Sequence, residues 1–330
     1  MRRPASSQAR WLLLVAAAVF VIAALVRAVA LARSDADLLR APDSAAVDAL
    51  AGVAARPDTT AAASLAPFPV ADSMFGRSGK LRFRTLTRVS ALGLPRFLET
   101  YGENAVRTPA VHQVAANGSS TAFAFVVLRP FGEKRGDVLN GYRLGKWPSE
   151  RWMMGERYDN PFGFIEVTPT NARLPLSEHF VLADFLTHDQ HAVWPKYVVL
   201  QESLIDKLEL VLGDLASRGV RTDKVRVLSG FRAPYYNDRI VAEGAARASR
   251  HQYGDAADII IDANGDGRMD DLNRDGRLDL RDTQEILRSV ERVEKRHPAL
   301  VGGLGLYHAM GASGPFAHVD VRGLSARWSR

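Results

Sequence analysis

The 330-residue chain has no cysteine, which excludes a disulfide framework, a thiolate metal site and a cysteine nucleophile. Any transition metal must then be held by His, Asp or Glu. Acidic residues are missing ahead of Asp35, whereas Arg2, Arg3, Arg10, Arg27 and Arg33 all precede it. Those five positives supply most of the net charge of +6 and leave +1 on the remainder. A nearly neutral body has little electrostatic reason to bind a phosphate backbone, so nucleic acid is not an expected partner. Charge of either sign is also absent from Trp11 to Val26, WLLLVAAAVFVIAALV. An apolar run behind a basic leader reads as an export segment over 1–33. It is either an uncleaved anchor in the inner membrane or a signal peptide cut at Ala28-Val29-Ala30 or Ala30-Leu31-Ala32. Both place the rest of the chain outside the cytoplasm, in the cell envelope or periplasm.

Aromatic residues are sparse between 34 and 75, where Ala, Asp, Pro, Ser and Thr dominate. With little to bury, this stretch reads as a flexible linker. From Gly79 the pattern alternates, with Leu81, Phe83, Thr85, Thr87 and Val89 opposed to Arg82, Arg84 and Arg88, as in a half-buried strand. Asn117-Gly118 then separates two further β runs and predicts a hairpin. A small β-rich domain is therefore expected over 76–170. Its Tyr142, Trp147 and Trp152 read as core or interface residues, or as a stacking surface for sugars and acidic peptides.

Beyond Pro175 the apolar period becomes helical. Leu200, Leu204, Leu208 and Leu212 form a stripe that Gly219 terminates, and a second helix is predicted from Asp282, with Glu285 at capping-box spacing, to Pro298. Short β runs lie at 225–228, 257–261, 304–307 and 316–321. The expected fold over 171–330 is α+β, a small and mostly antiparallel sheet with flanking helices.

Three polar side chains in this region can share one ion. His251 lies in the loop leading to Asp258, which begins a β run, and Gly254 between them permits a close backbone approach. Downstream, His318 and Asp320 are two apart on an expected strand and face the same side. Two imidazoles and a carboxylate that leave a fourth position open match a catalytic zinc site.

The segments SGFRAPYYN (229–237), SRHQYGDAADI (249–259) and GPFAHVDVRG (314–323), with SEHFVLADFL (177–186) upstream, resemble the zinc D-Ala-D-Ala carboxypeptidase and murein endopeptidase family. Its wider superfamily includes lysostaphin-type enzymes and hedgehog signalling domains. The likeness covers about 175–330 and implies His251, Asp258 and His318 as zinc ligands. It implies Arg232 as the cation that steadies the substrate carbonyl or oxyanion, and Ser249 and Tyr253 as substrate-binding residues. It also implies peptidoglycan stem peptides as the substrate. The chain departs from the family at the general base. Relatives place an acid three residues before the last zinc histidine, or a histidine two before it, and here those positions hold Pro315 and Phe316. Asp320, as base or as orienter of a ligand, and His308 are the remaining candidates.

Between Asp258 and His318 lies DANGDGRMDDLNRDGRLDLRD, residues 262–282. Oxygen-bearing residues at alternate positions around a glycine are what a calcium loop requires. The register Asp271, Asn273, Asp275, the Arg277 carbonyl, Asp279 and Asp282 is complete. The overlapping register Asp262, Asn264, Asp266, the Arg268 carbonyl and Asp270 ends in Asn273 where an acid is expected. The pattern resembles the loops of EF-hand and dockerin repeats, which makes a calcium-bound scaffold or adhesin a further expectation. The functional expectation is a zinc peptidase of peptidoglycan, with a zinc- and calcium-stabilised module that binds peptidoglycan without cutting it as the alternative.

Overall fold

The computed structural model describes residues 83–86, 104, 108–115, 122–152, 155–308 and 313–330. The expected export segment, the linker and the Asn117-Gly118 turn lie outside them. Among the described residues, no helix is long and apolar enough to cross a membrane.

Three short strands come first: β1 (Phe83–Leu86), β2 (Ala110–Ala115) and β3 (Ala122–Val127). β2 and β3 pair antiparallel, from Ala110 opposite Val127 to Ala115 opposite Ala122, and β1 lies parallel to β3. Next come β4 (Arg129–Pro130), the two-stranded pair β5 (Val138–Leu139) and β6 (Tyr142–Arg143), and helix α1 (Pro148–Arg151). β7 (Gly163–Val167) pairs with β4 on one side and with β8 (Lys196–Val198) on the other. This last pairing crosses the expected boundary between 170 and 171. One apolar cluster likewise runs from Val126 through Leu144, Trp147 and Phe164 to Ile259 and Val319. Trp147 and Tyr142 are buried in it, and the Trp147 Nε1 donates to the Gln252 carbonyl at 2.8 Å, whereas Trp152 is exposed. The described residues fall within a single compact unit, so residues 126–170 share a core with the segment that follows.

The second half is built on a five-stranded sheet of order β13-β11-β12-β10-β9. Its strands are β9 (Val225–Ser229), β10 (Ala256–Ile261), β11 (Gly303–Tyr307), β12 (Phe316–Asp320) and β13 (Ala326–Ser329). All neighbours are antiparallel except β11 and β13. β10 is buried along its whole length, as its AADIII sequence requires. Helix α2 (Glu202–Ser217) turns Leu204, Ile205, Leu208, Val211, Leu212 and Leu215 inward, and a short helix α3 (Pro234–Ile240) follows β9.

Helix α4 (Leu280–Arg296) begins two residues earlier than its sequence predicts. Asp279 caps it by accepting from the Arg281 N–H at 2.7 Å, and Asp282 reaches back to the Asp279 N–H at 2.8 Å. The capping box is therefore 279/282 rather than 282/285, because Asp279 and Asp282 satisfy the first free amides, and Glu285 pairs with Arg288 instead. The architecture is α+β with small, mainly antiparallel sheets.

Candidate metal centre

His251, Asp258 and His318 meet at the middle of the five-stranded sheet, all three buried. Asp258 on β10 stands directly opposite His318 on β12. The β9–β10 ladder shifts register between Asp258 and Ile259, a bulge of the kind that re-aims a side chain. His251 arrives from a 3-10 turn, Arg250–Tyr253, closed by Gly254 at φ +66. A Cβ on Gly254 would lie 2.1 Å from the Val199 carbonyl oxygen, so only glycine lets the turn seat against β8. Arg250 secures the same turn from below: its Nε bonds both oxygens of Asp255, and its Nη1 donates to the Arg157 carbonyl at 2.6 Å.

The three inward atoms form a small triangle. His251 Nε2 is 3.1 Å from His318 Nδ1 and 3.2 Å from Asp258 Oδ1, and His318 Nδ1 is 2.9 Å from Asp258 Oδ1. A tetrahedral ion with ligands at 2.0–2.1 Å sets its ligands about 3.3 Å apart. The donor atoms thus fit a small tetrahedral cation after shifts of a few tenths of an ångström. Each outer atom is engaged as well. His251 Nδ1 donates to the Gly230 carbonyl at 2.7 Å, which leaves the Nε2 lone pair turned inward. His318 Nε2 faces Asp320 Oδ2 at 3.1 Å. Arg232 Nη2 donates to Asp258 Oδ2 at 2.5 Å, while its Nε donates to Ser229 Oγ at 2.7 Å.

Electrostatics inside the triangle are tightly linked. Burial pulls the His251 pKa down to about 4 against the opposing attraction of Asp258. For His318, burial also lowers, but hydrogen bonds to Asp258 and Asp320 prevail and the pKa is raised. Burial would raise the Asp258 carboxyl, yet His251, His318 and Arg232 hold it well below the ordinary range. The raised pKa favours a His318 imidazolium whose two N–H groups face Asp258 and Asp320 separately, and a cation in the triangle would displace the Nδ1 proton.

The other expected site residues fall in distinct places. Asp320 is fully buried and accepts from the Gly303 N–H at 2.6 Å, from the Arg322 backbone N–H at 3.1 Å and from the Arg322 guanidinium. Its position is that of a carboxylate orienting a ligand histidine. His308, at the end of β11, is exposed; its backbone N–H donates to the Arg330 carbonyl, and no hydrogen bond or ion pair among the described residues joins it to the trio. Ser249 is buried and its carbonyl accepts from the Gln252 N–H. Tyr253 is buried, packs its ring on Arg250 and directs its hydroxyl to the Tyr158 carbonyl at 3.2 Å.

Sequence reasoning missed several neighbours. Trp328 on β13 lies 5.3 Å from the His318 ring, and a Cβ on Gly305 would lie 2.3 Å from its indole nitrogen. Arg322 shares the alternation of His318 and Asp320, a signal present in the sequence. His188 follows Thr187, whose hydroxyl donates to the Phe231 carbonyl and accepts from the Ala233 N–H, on either side of Arg232. Its pKa is lowered, first by desolvation and then by Arg232 and His191.

In the 262–282 loop both registers fold alike. Gly267 N–H donates to Asp262 Oδ2 at 3.0 Å, as Gly276 N–H does to Asp271 Oδ2 at 2.7 Å. Asp266 N–H donates to Asn264 Oδ1 and Arg268 N–H to Asp266 Oδ1, matched by Asp275 to Asn273 and Arg277 to Asp275. The fourth and sixth positions, Gly265 and Gly267, Arg274 and Gly276, all have positive φ.

Compared with protein families, with curated proteins and with solved structures, the chain has no match.

Proposed function

We propose that the chain is a zinc-dependent peptidase that hydrolyses peptide bonds in peptidoglycan stem peptides or crosslinks, held in or exported to the cell envelope by its N-terminal segment. The observation that carries this reading is the triangle of two imidazole nitrogens and one carboxylate oxygen, 2.9 to 3.2 Å on edge. That ligand set suits zinc better than a hard cation that prefers all-oxygen sites. When bound, zinc would supply an acidified water and a Lewis acid for the scissile carbonyl. The chain's own groups do the rest. Gly230 and Asp320 fix the tautomer and the plane of the two histidines, and Arg232 holds Asp258 in one orientation. With its guanidinium so engaged, Arg232 acts on the ligand carboxylate first and on a developing oxyanion only through whatever donors remain.

Asp320 is a poor proton carrier, since every lone-pair direction is claimed by a histidine, an amide or a guanidinium. His188 is the better candidate. It is exposed, it flanks Arg232, and its depressed pKa keeps it neutral and ready to accept a proton at pH 7. Calcium, expected of the 262–282 loop, belongs to this reading as a structural ion.

The buried Asp320 also favours a second reading, a module that binds peptidoglycan without cutting it. One experiment separates the two. Purified protein with zinc is incubated with muropeptides and with intact sacculi, beside a His251→Ala sample. Fragments released only by the wild type support the peptidase. Binding to sacculi with no turnover supports the module, and neither binding nor turnover defeats both.

A further inference from the structure

The loop that leaves β10 contains a buried carboxylate oxygen without a hydrogen-bond donor. Asp262 immediately follows β10 and is 2% exposed. Its Oδ2 accepts from the Gly267 N–H, so the carboxylate lies within the loop, but its Oδ1 is buried with no hydrogen-bond partner among the described residues. A buried carboxylate oxygen without a donor is costly, and native proteins rarely keep one. The closest guanidinium, Arg226, stands 3.8 Å from the other oxygen with half its side chain in solvent. Lys224 and Arg226 flank Gly265 and Gly267 but leave Oδ1 unpaired.

We propose that this oxygen belongs to a calcium ion held by Asp262, Asn264, Asp266, the Arg268 carbonyl and Asp270. Three carboxylates, an amide oxygen, a carbonyl and water give the six or more oxygens a large hard cation takes. The sequence favours the other register, 271–282, because it ends in an acid. The unpartnered Asp262 oxygen points instead to the first register, where Asp270 Oδ2 also accepts from the Ala263 N–H at 2.8 Å. Both Asp282 oxygens are already used: Oδ1 accepts from the Leu272 and Asn273 N–H groups and Oδ2 from that of Asp279. Asp275 is paired with Arg281. Asp282 therefore serves as cap and loop closure, and the unsatisfied oxygen is in the first register.

The placement gives the ion a consequence. Asp270 N–H donates to the Ile261 carbonyl at the end of β10, and Met269 N–H donates to the Ser313 carbonyl ahead of β12. The cation loop thus joins the strand that carries Asp258 to the segment leading to His318. Calcium bound there restrains the two strands that carry Asp258 and His318. The calcium site rests on the structural-ion part of the reading above and is independent of the peptidase assignment.

The test is calorimetric titration of calcium chloride into the full chain carrying His251→Ala, which removes the trio as a competing site. Binding is expected with a Kd of about 0.1–1 mM, the range of extracellular modules. It should weaken at least about tenfold when Asp262→Asn or Asp266→Asn is added, and persist with Asp271→Asn. Asp266 is exposed, so its variant decides the matter if Asp262→Asn fails to fold. Binding unchanged by both first-register variants overturns the site, as does a loss confined to Asp271→Asn. Absence of any calcium heat up to about 10 mM also overturns it and assigns Oδ1 to a buried water.

Discussion

At the residue scale, the proposed function gives Asp320 and His188 separate roles, the first orienting a histidine and the second carrying a proton. Asp320 sits behind His318 and is itself clamped by Arg322 and the Gly303 amide. Removing such an orienting carboxylate typically costs 10- to 100-fold in metal affinity. Asp320→Ala is accordingly expected to weaken zinc binding by about that factor in a competition titration against a chromophoric chelator, and an unchanged affinity would refute the orienting role. His188→Ala should leave zinc content intact and lower turnover by about 10²–10⁴-fold. His308→Ala should leave both within twofold or so, because among the described residues no hydrogen bond or ion pair joins that ring to the trio, whereas His188 feels the charge of Arg232. If the two histidine variants behave in the opposite way, the proton carrier is His308.

At the scale of elements, α2 and α4 are joined to the sheet by buried ions. Lys207, fully buried on α2, donates to Glu294 Oε1 on α4 and to the Asp320 carbonyl, both at 2.7 Å. Glu294 also accepts from the Gly302 N–H at 3.0 Å and pairs with Arg327 on β13. Breaking one side of such a buried network leaves an uncompensated charge, so Glu294→Ala should cost about 3–5 kcal/mol in urea unfolding. A loss under about 1 kcal/mol would place this pair with ordinary surface bridges.

Asp214 on α2 makes a second clamp, to Arg292 and Arg296 on α4. Burial would raise its carboxyl, yet the arginines and Ser289 hold it below its ordinary value of 3.8. A depressed carboxylate binds fewer protons folded than unfolded, so its contribution is complete above about pH 4 and fades as pH falls through the folded pKa. Asp214→Asn should therefore lower stability at pH 7 and flatten its decline below pH 4, followed by thermal midpoints across that range.

At the scale of the whole molecule, the candidate metal centre draws on residues from three separate stretches, so a cation bound there would be linked to folding. Zinc in excess over its Kd should raise the unfolding midpoint through mass action, by about 2.7 kcal/mol at a hundredfold excess. The same addition to His251→Ala should raise it far less, and equal shifts in the two proteins would place the ion elsewhere. The continuous core from Val126 to Val319 also predicts that the segment 171–330 loses stability when cut away from 126–170, since Trp147 and Phe164 fill its interior. A truncated chain that melts where the intact chain does would contradict this.

The sequence alone determined what depends on local chemistry. The apolar stripe of α2, the β runs at 225–228, 257–261, 304–307 and 316–321, each within a residue or so of an observed strand, and the alternation of His318 with Asp320 follow from the periods of 3.6 and 2 that helices and strands impose. The absence of cysteine left His, Asp and Glu as the candidate ligand types, and the glycine and aspartate spacing of 262–282 marked a candidate cation loop. Only tertiary structure decided the rest. That β7 pairs with β8, that β13 brings Trp328 to His318, and that Asp282 caps α4 while Asp262 retains an unpartnered oxygen all depend on which hydrogen-bonding groups are left over once the chain has folded. Such remainders arise from contacts between residues tens of positions apart, which no window of sequence contains.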